Sequence, residues 1–304
     1  MRCILWGYPL HSDTYSYIYE AFKKAFEYLG HEVFWFTDED YPEDFDYDNC
    51  LFFCEGYRDK NIPLRKTSTY ICHVCINPDK YISSVKRLVD MRYHVDFIED
   101  TNYNYITDYD NCEELESGVL YDRSSSTYDI IYVAWAANLL PYEFNFELAR
   151  RKRESIYHMI GSISSTGAFA NDSIVREWMH YCSKSGIECF YSDPWKKPLP
   201  DEIYRQYMQR SIMQPDLRNE THKKWGVKSC RIFKAISYGM LGITNSPKLA
   251  NFIDHSIICN ENILDLYTEG LSKHKDVELI QHQMKIVRDK HTFINRVQGI
   301  LKLL

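Results

Sequence analysis

The chain has 304 residues, of which 45% are hydrophobic and 26% charged, enough for two cores and unlike a disordered or fibrous composition. Its net charge of -7 argues against a nucleic-acid partner, because neutralising phosphates calls for a basic surface. Ten cysteines in a chain of this size fit reduced, buried thiols, and no apolar run reaches the length of a signal-peptide core or a membrane span, so the sequence reads as cytoplasmic.

Strand and helix signals alternate from the start, the pattern of an α/β fold with parallel sheets. Arg2 to Trp6 reads as a strand, residues 7–13 as a loop, Thr14 to Leu29 as an amphipathic helix closed by Gly30, and His31 to Phe36 as the second strand. Further strands are expected at Cys50 to Cys54, Thr69 to Cys75, Val95 to Glu99 and Asp129 to Trp135, with the acidic stretch Asp38 to Asp48 as a solvated loop. Cys50, Cys54, Cys72 and Cys75 have the spacing of a metal site, but a C-x2-C pair inside a strand points to opposite faces, so no metal site is expected. Groups able to take a proton stand in the loops after the first and third strands: His11 and Asp13, and Glu55 with Gly56 beside it. His73 reads as a strand residue with a satisfied hydrogen bond.

A break follows Leu139-Leu-Pro141, and the charged run Arg150 to Glu154 leads into a new strand, which places a domain boundary near residue 150 and gives domains 1–150 and 151–304. That strand, Ser155 to Gly161, ends in Gly161-Ser162, where small residues let backbone amides approach a phosphate or sugar. Ile174 to Lys184 is helical and Ile187 to Tyr191 is the next strand. Asp193 and Trp195 follow it, an acid and an indole that can edge or stack a nucleobase. Between Trp225 and Gly239 lies a helix that Ser229 can cap and Gly239 can end. Ile232, Phe233 and Ile236 form its apolar stripe, and Arg231, Lys234 and Tyr238 its opposite face. Lys228, Arg231 and Lys234 crowd its start, where cations oppose the macrodipole unless a polyanion sits against them. Asn245-Ser246-Pro247 begins another helix, and Val277, Ile280, Met284 and Val287 begin a long one.

Arg231-Ile-Phe-Lys-Ala-Ile-Ser-Tyr-Gly239 with Ile243-Thr244-Asn245 resembles the R-x-F-E-A-x-x-x-G…(L/I)-T-(N/D) block of GT-B glycosyltransferases, especially the group that includes the spore-maturation protein CgeB. His291-Thr-Phe-Ile-Asn-Arg296 with Ile300-Leu301 resembles that group's H-T-(Y/F)-x-x-R…I-L ending. The resemblance implies two Rossmann-like domains facing across a cleft, an acceptor side followed by a donor side, and a last helix returning toward the first domain. It implies a UDP- or GDP-linked nucleotide sugar as co-substrate, no other cofactor, no metal, and a carbohydrate or glycosylated acceptor. Gly161, Ser162, Asp193, Trp195, Lys228, Ser229, Arg231, Lys234, Tyr238, Asn245 and Ser246 are then the donor-binding candidates, and Asp13, His11 and Glu55 the catalytic ones. The chain departs from the pattern where many retaining members carry two acids: Lys234 stands at one position and Gly226 at the other. Stereochemistry therefore stays open, as do a non-catalytic nucleotide-sugar or glycan binder and an epimerase of the same fold.

Overall fold

The computed structural model describes residues 1–304 except 9, 11–13, 57–58, 100–103, 126, 166–169, 195 and 198, so His11, Asp13 and Trp195 lie outside the described residues. In chain order the elements are β1 (Arg2–Trp6), α1 (Thr14–Tyr28), β2 (Glu32–Phe36), β3 (Leu51–Cys54), β4 (Thr69–His73), α2 (Asp79–Ile82), β5 (Arg87–Tyr93), β6 (Phe97–Glu99), β7 (Asn104–Ile106), β8 (Cys112–Glu116), β9 (Val119–Asp122) and β10 (Asp129–Val133). They continue as β11 (Ile156–Ile160), α3 (Asp172–Lys184), β12 (Glu188–Ser192), α4 (Asp201–Arg210), α5 (Glu220–Trp225), α6 (Cys230–Ser237), β13 (Ile243–Thr244), α7 (Pro247–Phe252), β14 (Ile258–Cys259), α8 (Ile263–Lys273), α9 (Val277–Lys290) and α10 (Phe293–Leu303). No helix among the described residues is long and apolar enough to cross a membrane.

The chain forms two compact units: residues 1–94, 107–135 and 293–304 make unit 1, and residues 95–106 and 136–292 make unit 2. The crossing falls after Trp135, ahead of the break near residue 150, because Leu139, Phe144 and Ala149 already contribute to the core of unit 2.

Unit 1 is built on an eight-stranded sheet in the order β2-β1-β3-β4-β5-β10-β9-β8. The first six strands of that order are parallel, and the β8–β9 hairpin closes the edge in antiparallel pairing. Every residue of β3 is buried, as expected for a central parallel strand covered on both faces. Ile18, Phe22, Ala25 and Phe26 form the buried stripe of α1, and the Phe22 ring meets Phe53 of β3 at 4.4 Å and Phe293 of α10 at 4.9 Å. Two sequence expectations fail in this unit. Val95 to Glu99 does not join the sheet; Phe97–Glu99 pairs with Asn104–Ile106 as a separate hairpin within unit 2. Strand β5, hidden by its charges in the sequence, is present because those charges are paired: Arg92 meets Asp90 at 2.7 Å and Arg87 meets Asp129 at 2.5 Å.

Arg296 of α10 is fully buried. Its guanidinium donates to the carbonyls of Ala134 at 2.8 Å, Trp135 at 3.4 Å and Ser117, and a Cβ on Gly118 would sit 2.6 Å from its Cζ. Burial lowers its pKa to about 9. One side chain thus ties the last helix to the end of β10 and to the turn between β8 and β9.

Unit 2 contains two short parallel pairs, β11 with β12 and β13 with β14. The extended residues 212–216 bridge them: Ile212 N donates to Ile156 O at 2.9 Å, and Asp216 N donates to Ile243 O at 2.8 Å. The resulting order is β12, β11, residues 212–216, β13, β14. Its core gathers Val175 and Trp178 from α3, Ile232, Phe233 and Ile236 from α6, and Ile280, Met284 and Val287 from α9.

Arg296→Met keeps the length and removes the three donors, leaving buried carbonyls unsatisfied, so it is expected to destabilise the protein by about 2 to 4 kcal/mol in urea unfolding. A loss below about 0.5 kcal/mol would show that water replaces the guanidinium without cost.

Candidate functional site

In open α/β sheets ligands bind outside the carboxyl ends of the strands where the strand order reverses. In unit 2 that point lies between β11 and residues 212–216. Strand β11 runs out into Gly161, which adopts φ +145, and a Cβ there would collide with the Arg231 guanidinium, whose Cζ would lie only 3.3 Å away. Glycine is required for the guanidinium to lie across the strand end. Arg231 is in the first turn of α6 and makes no hydrogen bond or ion pair with any described residue. Ser229 stands at the N-cap in an extended conformation but does not cap. Its hydroxyl instead accepts from Arg218 and faces Asp216 Oδ1 at 3.4 Å. The helix start therefore keeps amides with no side-chain acceptor beside an unneutralised guanidinium, which is the chemistry of an anion site.

The turn after β11 is held in place around it. Asn171 Nδ2 donates to Ser162 O at 3.0 Å, and Asn171 Oδ1 accepts from Ser164 N at 2.9 Å. Ser162 Oγ donates to Asp193 Oδ1 at 3.1 Å, which joins the ends of β11 and β12. Gly161, Ser162, Asp193, Ser229 and Arg231 are thereby brought to one end of the sheet of unit 2.

The remaining candidates are placed differently. Lys228 has a side chain 5% exposed and stands 3.3 Å from Asp96, which Lys248 also reaches at 2.5 Å. Burial lowers the Lys228 pKa against the pull of Asp96, and its charge is committed to that carboxylate. Lys234, one turn beyond Arg231, has its ammonium 5.1 Å over the Tyr204 ring and 3.7 Å from Asp201. Tyr238 does not share this polar face. It is fully buried at the helix end, where its hydroxyl donates to Asn138 Oδ1 at 3.1 Å and faces Asp201 Oδ1 at 3.4 Å. Asn245 spends both ends of its amide on Arg218, accepting from N at 2.6 Å and donating to O at 2.8 Å. Ser246 is 1% exposed at the N-cap of α7, and its Oγ has no hydrogen-bond partner among the described residues.

Sequence reasoning missed the pair that orders this end. Arg218 and Asp216 are both buried and joined by two hydrogen bonds of 2.6 and 2.7 Å, so the pair is internally satisfied and serves to hold Ser229. The signal was present as Asp216-Leu-Arg218, where i and i+2 lie on one face of an extended segment. His222 was missed as well; burial, then the nearby Arg218, pushes its pKa down to about 4, so it is neutral at pH 7.

In unit 1 the order reverses between β1 and β3. Gly7 after β1 has φ +110, and a Cβ on it would lie 3.6 Å from Asp59 Oδ1 and 3.8 Å from Glu55 Cγ. The loops after the two strands therefore converge, and Glu55, 3% exposed, stands among them. Asp59, not anticipated from the sequence, is 6% exposed and accepts from Gly56 N at 2.8 Å. Burial raises its pKa to about 6. His73 departs from expectation. Its Nε2 is buried with no hydrogen-bond partner among the described residues, and its ring is enclosed by Tyr93 at 5.1 Å, Trp135 at 5.3 Å and Tyr15 at 5.5 Å. Desolvation there pushes its pKa down to about 4.

No family model and no curated protein matches the chain. Solved structures do. An alpha-glucosyltransferase in complex with UDP-glucose and DNA containing an abasic site is similar with a TM-score of 0.52 at 9% identity. An alpha-glucosyltransferase in complex with UDP and a 13-mer DNA containing a central A:G mismatch follows at 0.51 and 10%, and one in complex with UDP at 0.51 and 9%. Each match covers 100% of this chain and 99% of the other. At these identities the likeness shows the fold: a mixed α/β fold with a largely parallel sheet, shared with sugar-transferring enzymes. The narrower grouping with CgeB-like proteins finds no support. The exclusion of nucleic acid drawn from net charge is overturned, because proteins of this fold are solved with DNA bound. The physical reason is visible in the charge distribution: the acidic excess belongs to unit 1, whereas acids and bases nearly balance in unit 2, so the net charge of the whole chain describes neither surface.

Asp59 provides a pH test of the unit 1 loops. Its folded pKa, about 6, lies above the ordinary 3.8, so its protonation contributes stability that is fully present below about pH 4 and is lost as pH rises through about 6. Asp59→Asn, which can still accept from Gly56, is expected to gain about 2 to 3 kcal/mol relative to the parent between pH 4 and pH 7. Urea unfolding at both pH values checks this, and a difference that does not change with pH would remove Asp59 from the buried loop.

Proposed function

We propose that the chain is a glycosyltransferase that transfers a sugar from a UDP- or GDP-linked donor to a hydroxyl acceptor. The observation that carries this reading is the unneutralised Arg231 guanidinium lying across Gly161 at the uncapped start of α6. Negative charge grows on the departing nucleoside diphosphate, and fixed cations and helix amides placed there stabilise it more in the transition state than in the ground state. Arg231 and the α6 amides take the diphosphate, with Lys234 as a second cation one turn along. Ser162 and Asp193 edge the donor at the ends of β11 and β12. With these charges supplied by the protein, the transfer needs no metal ion.

If the transfer inverts configuration, a group must take the proton of the acceptor hydroxyl; Asp13 and His11, then Glu55, are the candidates in unit 1, with Asp59 beside Glu55 held up to a pKa of about 6 by burial. The expected carbohydrate acceptor has no support from the comparisons, and the neighbours solved with DNA make DNA an acceptor to be tested beside it.

Incubation with UDP-glucose and GDP-linked sugars, with and without DNA or an oligosaccharide, tests the reading. Slow release of free sugar from one donor is expected, with faster consumption in one acceptor arm and undiminished activity in EDTA. Arg231→Ala is expected to weaken nucleoside diphosphate binding by about 10- to 150-fold in calorimetry, the scale of a hydrogen bond to a charged group. Binding without any turnover would reduce the protein to a nucleotide-sugar binder; no binding of UDP or GDP would remove the site.

A further inference from the structure

Unit 1 carries the chain's acidic excess, yet a cleft of about 380 Å³ in it is lined by two cations and one carboxylate. The cleft lies at the amino ends of β5 and β10, the opposite end of the sheet from the loops after β1 and β3. Lys86 and Arg87 enter it where β5 begins, and Asp129 where β10 begins.

The acid is spent within the cleft. Asp129 Oδ2 accepts from Arg87 Nε at 2.5 Å, and its Oδ1 accepts from the Tyr121 hydroxyl at 3.0 Å. Arg87 Nη1 donates to Leu303 O at 2.6 Å, so two bonds fix the plane of the guanidinium. Its Nη2 makes no hydrogen bond with any described residue. Neither does Lys86 Nζ, nor do the hydroxyls of Ser125 and Thr127, which also line the cleft. The charge left uncompensated is therefore positive, and open donors surround it. Ile82, Val85, Leu88 and Tyr128 form the rest of the wall. A bare ion would leave these apolar groups in water, and the volume falls at the lower end of the range for small organic ligands, about 300 to 1,000 Å³.

We propose that this cleft binds a phosphate monoester carried on an apolar or aromatic body. Arg87 Nη2 and the Lys86 ammonium make charge-assisted hydrogen bonds to the phosphate, and the Ser125 and Thr127 hydroxyls donate to its remaining oxygen. A carboxylate brings one charge and two oxygens to these four groups; a phosphate monoester brings nearly two charges and three oxygens. The organic body covers Ile82, Val85 and Leu88. The cleft shares no residue with the start of α6, and its occupation does not depend on sugar transfer.

Phenyl phosphate, inorganic phosphate and phenol are titrated by calorimetry into the full chain and into Arg231→Ala, with hydrogen exchange of residues 82–88 measured alongside. Saturable binding of phenyl phosphate is expected in both proteins, about 10-fold tighter than inorganic phosphate because the ring covers the apolar wall, with no binding of phenol. Exchange in residues 82–88 should slow on binding. Lys86→Gln, a change at an exposed side chain, should weaken phenyl phosphate by about 10-fold or more, the scale of a hydrogen bond to a charged group. Absence of binding would overturn the proposal, as would its loss in Arg231→Ala, which would place the anion at α6. Undiminished affinity in Lys86→Gln, or equal affinity for inorganic phosphate, would overturn it as well.

Discussion

The close approach of the Arg231 guanidinium to the Gly161 backbone is the constraint on which the unit 2 site depends. A cation in the first turn of a helix faces the positive end of the macrodipole, at a cost of about 0.3 to 1 kcal/mol. The fold adds to that cost by drawing the Ser229 hydroxyl to the Asp216–Arg218 pair, so that the helix start lacks its cap. Such losses are ordinarily relieved by a carboxylate, and a ready one exists a short way off in Asp216. Arg218 occupies that carboxylate through both of its oxygens. The pair is neutral and closed, and Arg231 is left open.

The same reasoning separates cations that spacing alone makes equivalent. Lys228, Arg231 and Lys234 all stand near one helix start, yet Asp96 neutralises Lys228 and Asp201 draws Lys234 at 3.7 Å. Charge availability, and not charge count, selects Arg231. Asp96 reaches Lys228 because Gly226 ends α5 in the left-handed region with no side chain; a Cβ there would lie 2.7 Å from Asp96 Oδ1. At residue 226, where the pattern that the sequence resembles has an acid, glycine thus makes room for an ion pair.

Much of the fold was legible because local periodicity and turn chemistry agree: β1, α1, β2, β3, β11, α3 and α6 all form where alternation, apolar stripes and terminal glycines place them. The failures share a cause, since each depends on a partner outside the element itself. Strand β5 reads as a charged loop until Asp129 pairs with Arg87, and β8, with three glutamates among its five residues, reads as solvated until β9 pairs with it. Ser229 has the right residue type and position for a cap, and only the arrival of Arg218 removes its hydroxyl. Tyr238 falls on the polar face by spacing, but Asn138, 100 residues away, pulls its hydroxyl inward. Sequence periodicity sees the faces of one element and not what another element brings to them.

The two units repeat one device with opposite charge. Each reverses strand order beside one strand, β1 in one and β11 in the other, and each has a glycine with positive φ where that strand ends, Gly7 and Gly161. Gly7 stands in ordinary contact distance of Asp59 and Glu55, whereas at Gly161 the missing side chain admits a guanidinium. Burial raises the pKa of a carboxylate, so the first arrangement holds a group able to exchange a proton near neutral pH. A guanidinium does not titrate in that range, so the second holds a fixed charge. Proton exchange and anion stabilisation make opposite demands on local electrostatics. Within unit 2 a carboxylate that meets a cation does neutralise it, as Asp96 does Lys228.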